Sequence, residues 1–442
     1  MAITKVTQRH GDTVVVDPVT DKIIRHWARY FCDSTDPLPD NAQNGDKLTE
    51  MDTQISRYFS ADKGWQPPRC SIYGVSWDLS VSNKLTRTDA SAGFANPAPC
   101  IAGAGGSSPF DGLMPWAGME IVEDEFAGTM VAIPKFYYQI VHDGSKLSVR
   151  IADAPADGFH VSPAHADRDG TGERDVVYIA RYHCAAGTGQ SLTGSMPLVD
   201  VSRPSLRASF EAQCEHYGVT GYSLQDYAMF WTVRLLMLVE YATWDFQSAI
   251  GYGCGNGESA ELSGSTDSMP YHTGTVSETI DTYAVGVQYR YIEDMWANVA
   301  EFIDGWYVVL NEETQMFDVY VNTNIAEFSD DSGGVKIGSI NPETVNGFIS
   351  DWAVPEVEGY TWAMLPSAAT EEGVETGTEY CADGCVFDGP ALLSGGNFDG
   401  QDPVCGPFSL DGDPASYADS AIGARLQKIP LGGLGAAAPS GV

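Results

Sequence analysis

Apolar and polar positions follow two different rhythms along this chain. Residues 130–141 are apolar and aromatic, and residues 146–152 form a second β-prone run. The Asp-Gly within His142-Asp143-Gly144-Ser145 between them is the strongest short-range signal for a hairpin. A helical period follows. Pro204 suits a first turn, Leu206, Phe210, Cys214 and Tyr217 recur at i, i+4, i+8 and i+11, and Gly218 supplies a stop. This predicts a helix over 204–217. Ser223-x-x-Asp226 reads as a capping box opening a second helix over 224–243, apolar on most faces and therefore central. After Gly251 the chain returns to short strands, Gly-rich turns and many Trp and Tyr.

Upstream the pattern divides. Residues 1–70 are polar, with a strand at 13–16, a helix at 23–31, a Pro- and Asp-rich stretch at 33–46 and a turn at Gln66-Pro67-Pro68. Residues 71–195 are β-rich, with a structured loop over the Gly-, Pro- and Ser-dense 96–118. The organisation expected is a small module at 1–70, a β-rich domain at 71–195, a C-terminal domain at 196–430 and a Gly/Ala-rich tail at 431–442. The fold class is α+β and β-rich.

Charge narrows the choice of partners. Asp and Glu outnumber Lys and Arg by 60 to 24, a formal charge of −36. Such a surface repels phosphate backbones and anionic headgroups, which excludes a general nucleic-acid or membrane-surface binder. No apolar run reaches the roughly 18–20 residues that span a bilayer. The greasiest stretch, 227–244, is interrupted by Arg234 and Glu240. The start, MAITKVTQRHGD, lacks the apolar core of a signal peptide, so synthesis in a cytoplasm without membrane insertion is expected.

Chemistry-bearing motifs are sparse. The nine cysteines (32, 70, 100, 184, 214, 254, 381, 385 and 405) are scattered, unlike a secreted disulfide framework. Cys381-x3-Cys385 reads as reduced or buried thiols, a late disulfide or part of a metal site. Nucleophile elbow, zincin and Walker motifs are missing. Gly253-Cys254-Gly255-Asn256-Gly257 reads as a surface turn rather than a phosphate cradle. His160 and His165 read as part of a solvated loop. Glu327 with Asp330-Asp331, and the acidic run over 399–413, read as solvated charge before calcium ligands.

The order of three motifs is more informative. Leu238-Val239-Glu240-Tyr241-Ala242-Thr243 ends the central helix, and Asn298-Val299-Ala300-Glu301-Phe302 follows. Ser394-Gly395-Gly396-Asn397-Phe398 then precedes Ile422-Gly423-Ala424-Arg425-Leu426. This order resembles the formylglycine-generating-enzyme branch of the C-type lectin fold. A tighter resemblance spans about 71–430, through Tyr73-Gly74-Val75-Ser76-Trp77, Leu85-Thr86-Arg87, Ser107-Ser108-Pro109-Phe110, Met114-Pro115-Trp116-Ala117-Gly118-Met119, Ile133-Pro134-Lys135-Phe136-Tyr137-Tyr138, Ser263-Gly264-Ser265-Thr266-Asp267 and Cys405-Gly406-Pro407-Phe408. These segments look like a family of tailed-phage and prophage tail-fibre or tail-tip proteins with a C-type lectin-like C-terminal domain, some of them variable proteins of diversity-generating retroelements.

The resemblance implies a virion protein that recognises a host-surface receptor, protein or glycan, through its C-terminal face. It also implies contacts to other virion tail proteins and a homotrimer, with residues 1–70 serving attachment or assembly. The frame would be Gly395, Gly396, Phe398, Cys405, Gly406, Phe408, Ile422, Gly423 and Arg425. The contact residues would be Asn397, Asp399, Asp402, Asp411, Asp413, Tyr417 and Asp419. Retroelement mutagenesis and an ordinary polar lectin-like loop would both leave such residues between the frame positions. An oxidase of the formylglycine-generating type needs two cysteines before its final motif, and that segment holds only Cys405, so no enzyme activity is expected. A purely structural tail or decoration protein is the alternative. No cofactor is expected beyond a structural calcium that the resemblance implies at Asn298 and Glu301, held partly through backbone carbonyls. Arg425 is expected to tie several carbonyls at the end of the last strand.

Overall fold

The computed structural model describes residues 70–78, 85–255, 257–280, 285–370, 383–399 and 405–430, together with the backbone of seven short strands before residue 70. Two long helices carry the helical period. Helix α1 spans Arg203–Tyr217 and ends at Gly218, whose φ of 65° turns its N–H back to the Cys214 and Glu215 carbonyls. Its apolar stripe is shorter than the spacing predicts. Leu206 and Phe210 are buried and Cys214 is half-buried, while Tyr217 is 66% exposed.

Helix α2 spans Tyr227–Tyr241 with every side chain buried, as an all-round apolar helix must be. Its cap differs from the capping-box reading. Ser223 lies in the strand Tyr222–Leu224, and Asp226 is the N-cap, accepting the Met229 N–H at 2.8 Å. One carboxylate thus satisfies an orphan donor without a reciprocal box. At the far end Arg87 donates to the Val239 and Glu240 carbonyls at 2.8 and 2.6 Å, a cation at the negative end of the helix dipole.

The rest is β-rich and arranged in several sheets. Asp143 and Gly144 make the expected turn between Tyr137–His142 and Lys146–Ala152. Gly144 has a φ of 85°, and the Asp143 carboxylate accepts the Ser145 and Lys146 N–H groups. The apolar run 130–141 is two strands rather than one, Gly128–Pro134 and Tyr137–His142, in different sheets.

One five-stranded sheet runs in the spatial order Glu120–Asp124, Gly128–Pro134, Val176–Ala180, Leu426–Lys428 and Tyr222–Leu224. Ile179 faces Gln427 and Leu224 faces Leu426. Without Leu426–Lys428, the strand Val176–Ala180 would present an unpaired edge. Residues 71–195 are therefore not a domain apart from 196–430. The chain divides instead into Met1–Ser71 with Ala152–Asp157, and Ile72–Ile151 with Gly158–Val442.

In the first unit, Val14–Val16 is a strand, but the helix expected at 23–31 is two strands, Ile23–His26 and Arg29–Cys32. The first pairs with Val14–Val16 and the second with Thr4–Val6 and Lys47–Glu50, so sheet pairing overrides a short helical pattern. The segment 33–46 and the tail 431–442 lie outside the described residues. Among the described residues no helix is long and apolar enough to cross a membrane.

Candidate ligand-binding face

A seven-stranded sheet carries the C-terminal segment, in the order Leu365–Thr370, Gly347–Ala353, Gly384–Phe387, Leu410–Asp413, Ala391–Ser394, Ala300–Ile303 and Ile422–Gly423. The sequence motifs meet here. Glu301 lies opposite Ser394 on one side and Gly423 on the other. Arg425, fully buried, donates to the Glu301 carboxylate at 2.8 Å, to the Ala180 and Arg181 carbonyls at 3.0 and 2.9 Å, and to the Glu293 and Asp294 carbonyls at 2.7 and 3.0 Å. The guanidinium fork thus ties three chain segments, as its five donors in a fixed plane allow. The end of α2 is fixed in the same manner. Glu240 takes two hydrogen bonds from Arg290, at 2.7 and 2.6 Å, and others from Ser108 and Tyr289.

These contacts bear on the calcium expectation. Burial alone would raise the Glu301 carboxyl, but Arg425 and then His183 outweigh it and hold it at about 2. Asn298 Oδ1 accepts the Glu261 N–H at 2.8 Å, and its Nδ2 donates to Asp294 at 3.2 Å and to the Glu261 carbonyl at 3.3 Å. Calcium requires several oxygens converging on one point. Here a guanidinium already matches the carboxylate and the amide ties a loop, so these two residues do not fit the ion. Among the described residues no group of three or more His, Cys, Asp or Glu is placed to hold a metal.

The loop after Ala391–Ser394 is held rigidly. Gly395 and Gly396 have φ of 96° and 66°, and a Cβ on Gly396 would come 2.5 Å from Cys405 Sγ. Only glycine combines that conformation with that approach. Phe398 is buried against Ala260, Val299 and Ala421, its N–H donating to the Asn298 carbonyl and its carbonyl accepting the Gly257 N–H. The surface-turn reading fails for the first half of 253–257: Gly253, Cys254 and Gly255 are buried beneath this loop, whereas Gly257 is exposed. Phe408 lies against Trp231 of α2 and against Trp244 and Trp352, with ring centroids 6.0, 4.9 and 6.0 Å away. The segment is anchored in the core.

On this frame stand the expected contact residues. Asn397 and Asp411 are half-buried and share a cavity of about 220 Å³ with Cys385, Cys405 and Ser409. Asn397 Oδ1 accepts the N–H of Asp399, which is exposed. Burial, then Asp413, push the Asp411 carboxyl up to about 7, with Asp388 acting the same way. Burial followed by Asp388 and Asp419 raises Asp413. Tyr417 is 43% exposed, and Asp419 followed by burial raises its phenol. Asp411, Asp413, Tyr417 and Asp419 therefore form one patch, and no lysine or arginine among the described residues pairs with its carboxylates. Asp402 lies outside the described residues. Asp388 belongs to the patch and was missed, because only the pairing of Gly384–Phe387 with Leu410–Asp413 brings it there.

The remaining candidates fall elsewhere. His165 is not in a solvated loop. It is fully buried, bonded to Ser162 and to the Ile133 carbonyl, and burial drives its imidazole down to about 4. His160 is exposed. Asp330 is no free surface charge but pairs with Arg203 and Arg207, at 2.8 and 2.9 Å. Cys385 and Cys405 line one cavity despite their separation in sequence, and Cys405 Sγ donates to the Asn397 carbonyl at 3.5 Å. Burial, then Asp411, push the Cys385 thiol up to about 12, which keeps it protonated and unreactive. Cys381 lies outside the described residues. No protein-family model and no curated protein matches the chain.

Proposed function

We propose that this chain is a receptor-binding component of a phage tail. Its C-type lectin-like part, residues 196–430 sharing one core with 72–151 and 158–195, contacts a host-surface ligand without chemistry. The observation that carries the reading is the contrast within 391–430. A frame fixed by Gly395, Gly396, Phe398, Phe408 and Arg425 holds Asn397 and Asp411 half-buried at a cavity and Asp399, Asp413, Tyr417 and Asp419 more openly, with no lysine or arginine among the described residues matched to the carboxylates. Adaptable recognition favours short polar residues with Tyr, because they give hydrogen bonds and contact area at low entropy cost. Such residues on loops held by a rigid scaffold are the usual place for binding. The motif geometry supports the lectin-like assignment, since Glu301, Gly395 and Arg425 come from distant segments yet share one sheet region.

Asp411 and Asp413, raised by burial and then by neighbouring carboxylates, favour a partner that brings positive charge or hydroxyl donors. Tyr417, exposed and aromatic, is the anchor. In this reading the chain acts in the virion as a homotrimer whose avidity offsets weak single sites, with residues 1–70 contacting other tail proteins. The test is adsorption of the purified full chain to a panel of bacterial strains. At least one strain binds it, and Tyr417→Ala weakens that binding by about tenfold or more. Adsorption to no strain, or adsorption indifferent to Tyr417→Ala, returns the protein to the structural alternative.

A further inference from the structure

Tyr217 completes the apolar stripe of α1 in sequence yet points to solvent in the fold. It stands in an open groove of about 760 Å³ between the outer face of α1, the turn around Glu125 and Phe126, and the loop around Thr188 and Gln190. The Phe126 ring lies 5.7 Å from Tyr217 and 4.7 Å from Tyr222, and His216 lies 4.8 Å from Tyr217. Amides and hydroxyls, from Gln190, Gln213, Ser209 and Thr188, stand beside these rings.

The walls are fixed before any ligand arrives. Gln190 Nε2 donates to the Phe126 carbonyl at 2.7 Å, and the Ser191 N–H donates to the Ala127 carbonyl at 2.7 Å. Gly189, at a φ of 73°, sits so close over α1 that a Cβ would come 2.8 Å from the Phe210 ring. Gln213 Nε2 donates to Ser209 Oγ at 3.3 Å. The Oε1 atoms of both glutamines have no partner among the described residues, so each keeps an acceptor for a ligand. A largely pre-formed groove with apolar surfaces and a few placed polar groups is the ordinary form of a small-molecule site.

Charge selects the ligand class. The groove carries one carboxylate, Glu125, and one imidazole, His216, on a chain of net charge −36. Polyanions are repelled by that field, and no carboxylate cluster lies here to attract a polycation. Rings with an apolar face, flanked by amide acceptors and hydroxyls, match a molecule that alternates C–H faces with hydroxyl groups. We propose that this groove binds an uncharged oligosaccharide, at a site separate from the 397–420 face.

The experiment uses the full chain with soluble malto-, cello- and N-acetylglucosamine tetrasaccharides, followed by saturation-transfer NMR and tyrosine fluorescence. At least one tetrasaccharide binds at millimolar concentration or below. Tyr217→Ala weakens it by about tenfold, Gln213→Ala by less, and Tyr417→Ala leaves it unchanged. Tyr217 is exposed, so an unchanged melting curve for Tyr217→Ala shows that the fold is intact. The proposal is overturned if no tetrasaccharide binds, if binding ignores Tyr217→Ala, or if an anionic polysaccharide or a protein takes the groove instead. Because Tyr417→Ala is carried in parallel, failure of this site and failure of the receptor-binding reading are read separately.

Discussion

Two sets of carboxylates divide this molecule. Inside, four buried acids meet a cation: Glu240 with Arg290, Glu301 with Arg425, Asp226 with Arg168, and Asp304 with Arg207, while Glu293 and Asp294 are held by backbone, hydroxyl and amide donors. On the 397–420 face, Asp411, Asp413 and Asp419 meet one another and Asp388. With 24 cationic side chains against 60 acids, the fold places arginines beside several of its buried acids and leaves this face uncompensated among the described residues. Regions that give up local stability in this way are expected where function constrains them. The difference separates the parts that hold the fold from the part we propose to meet a partner.

The comparison is broken most severely from the inside. Arg425→Met leaves Glu301 buried beside no guanidinium and frees four backbone carbonyls, so urea denaturation should record a loss of about 3–5 kcal/mol. Arg425→Lys keeps the charge but not the fork and should lose about 1–3 kcal/mol. Wild-type stability in the lysine variant would contradict the role given to the fork. Next comes the frame of the face. Gly396→Ala forces a side chain into a left-handed position against Cys405 and should cost about 1–3 kcal/mol in the same measurement.

The outer set should respond with the opposite sign. Asp411 rises from an ordinary 3.8 to about 7 on folding. Between those values the folded chain binds more protons than the unfolded one, so this group's contribution falls as pH rises through the window. Glu301 works the other way: its contribution is present above its ordinary 4.5 and is lost as pH falls through about 2. His165, held at about 4, also favours the fold as pH rises toward 6.5, but it cancels when a variant is compared with the parent chain. Asp411→Asn should therefore be more stable than the parent at pH 8 by about 1–2 kcal/mol, discounted for partial solvent access, and equal to it at pH 4. A gain of the same size at both pH values would mean that ionisation of a half-buried carboxyl is not its source. The smallest effect concerns metal. Since Arg425 rather than an ion matches Glu301, a chelator should leave the melting temperature unchanged, and a fall would show a cation held elsewhere.

Helices and hairpins were legible in the sequence because their signals are local. Pro204, Gly218 and the Asp143-Gly144 pair each act within a few residues. The role of Arg425 was legible because a guanidinium near the end of a core strand has few alternatives to binding carbonyls. Local reading failed where distant strands decide the outcome. Ser223 looked like a cap, but the strand Leu426–Lys428 recruits it into a sheet, leaving Asp226 to cap α2. The histidine-bearing loop looked polar, yet His165 and Arg168 turn inward to partners at Ile133 and Asp226. The boundary at 195/196 dissolved for the same reason, because Val176–Ala180 finds its neighbour about 250 residues later. Asp388 could be joined to the acidic patch only through a parallel pairing that no turn signal announces.

The central claim is that the segment 397–420 chooses the partner while the surrounding frame stays constant. That is measured by exchanging the segment's other residues for the corresponding ones of a chain with different adsorption, keeping Phe398, Cys405, Gly406 and Phe408, and reading both strain preference and melting temperature. The account predicts that strain preference follows the exchanged segment and that the melting temperature stays close to the parent value. Unchanged strain preference in a chimera that melts normally would contradict it.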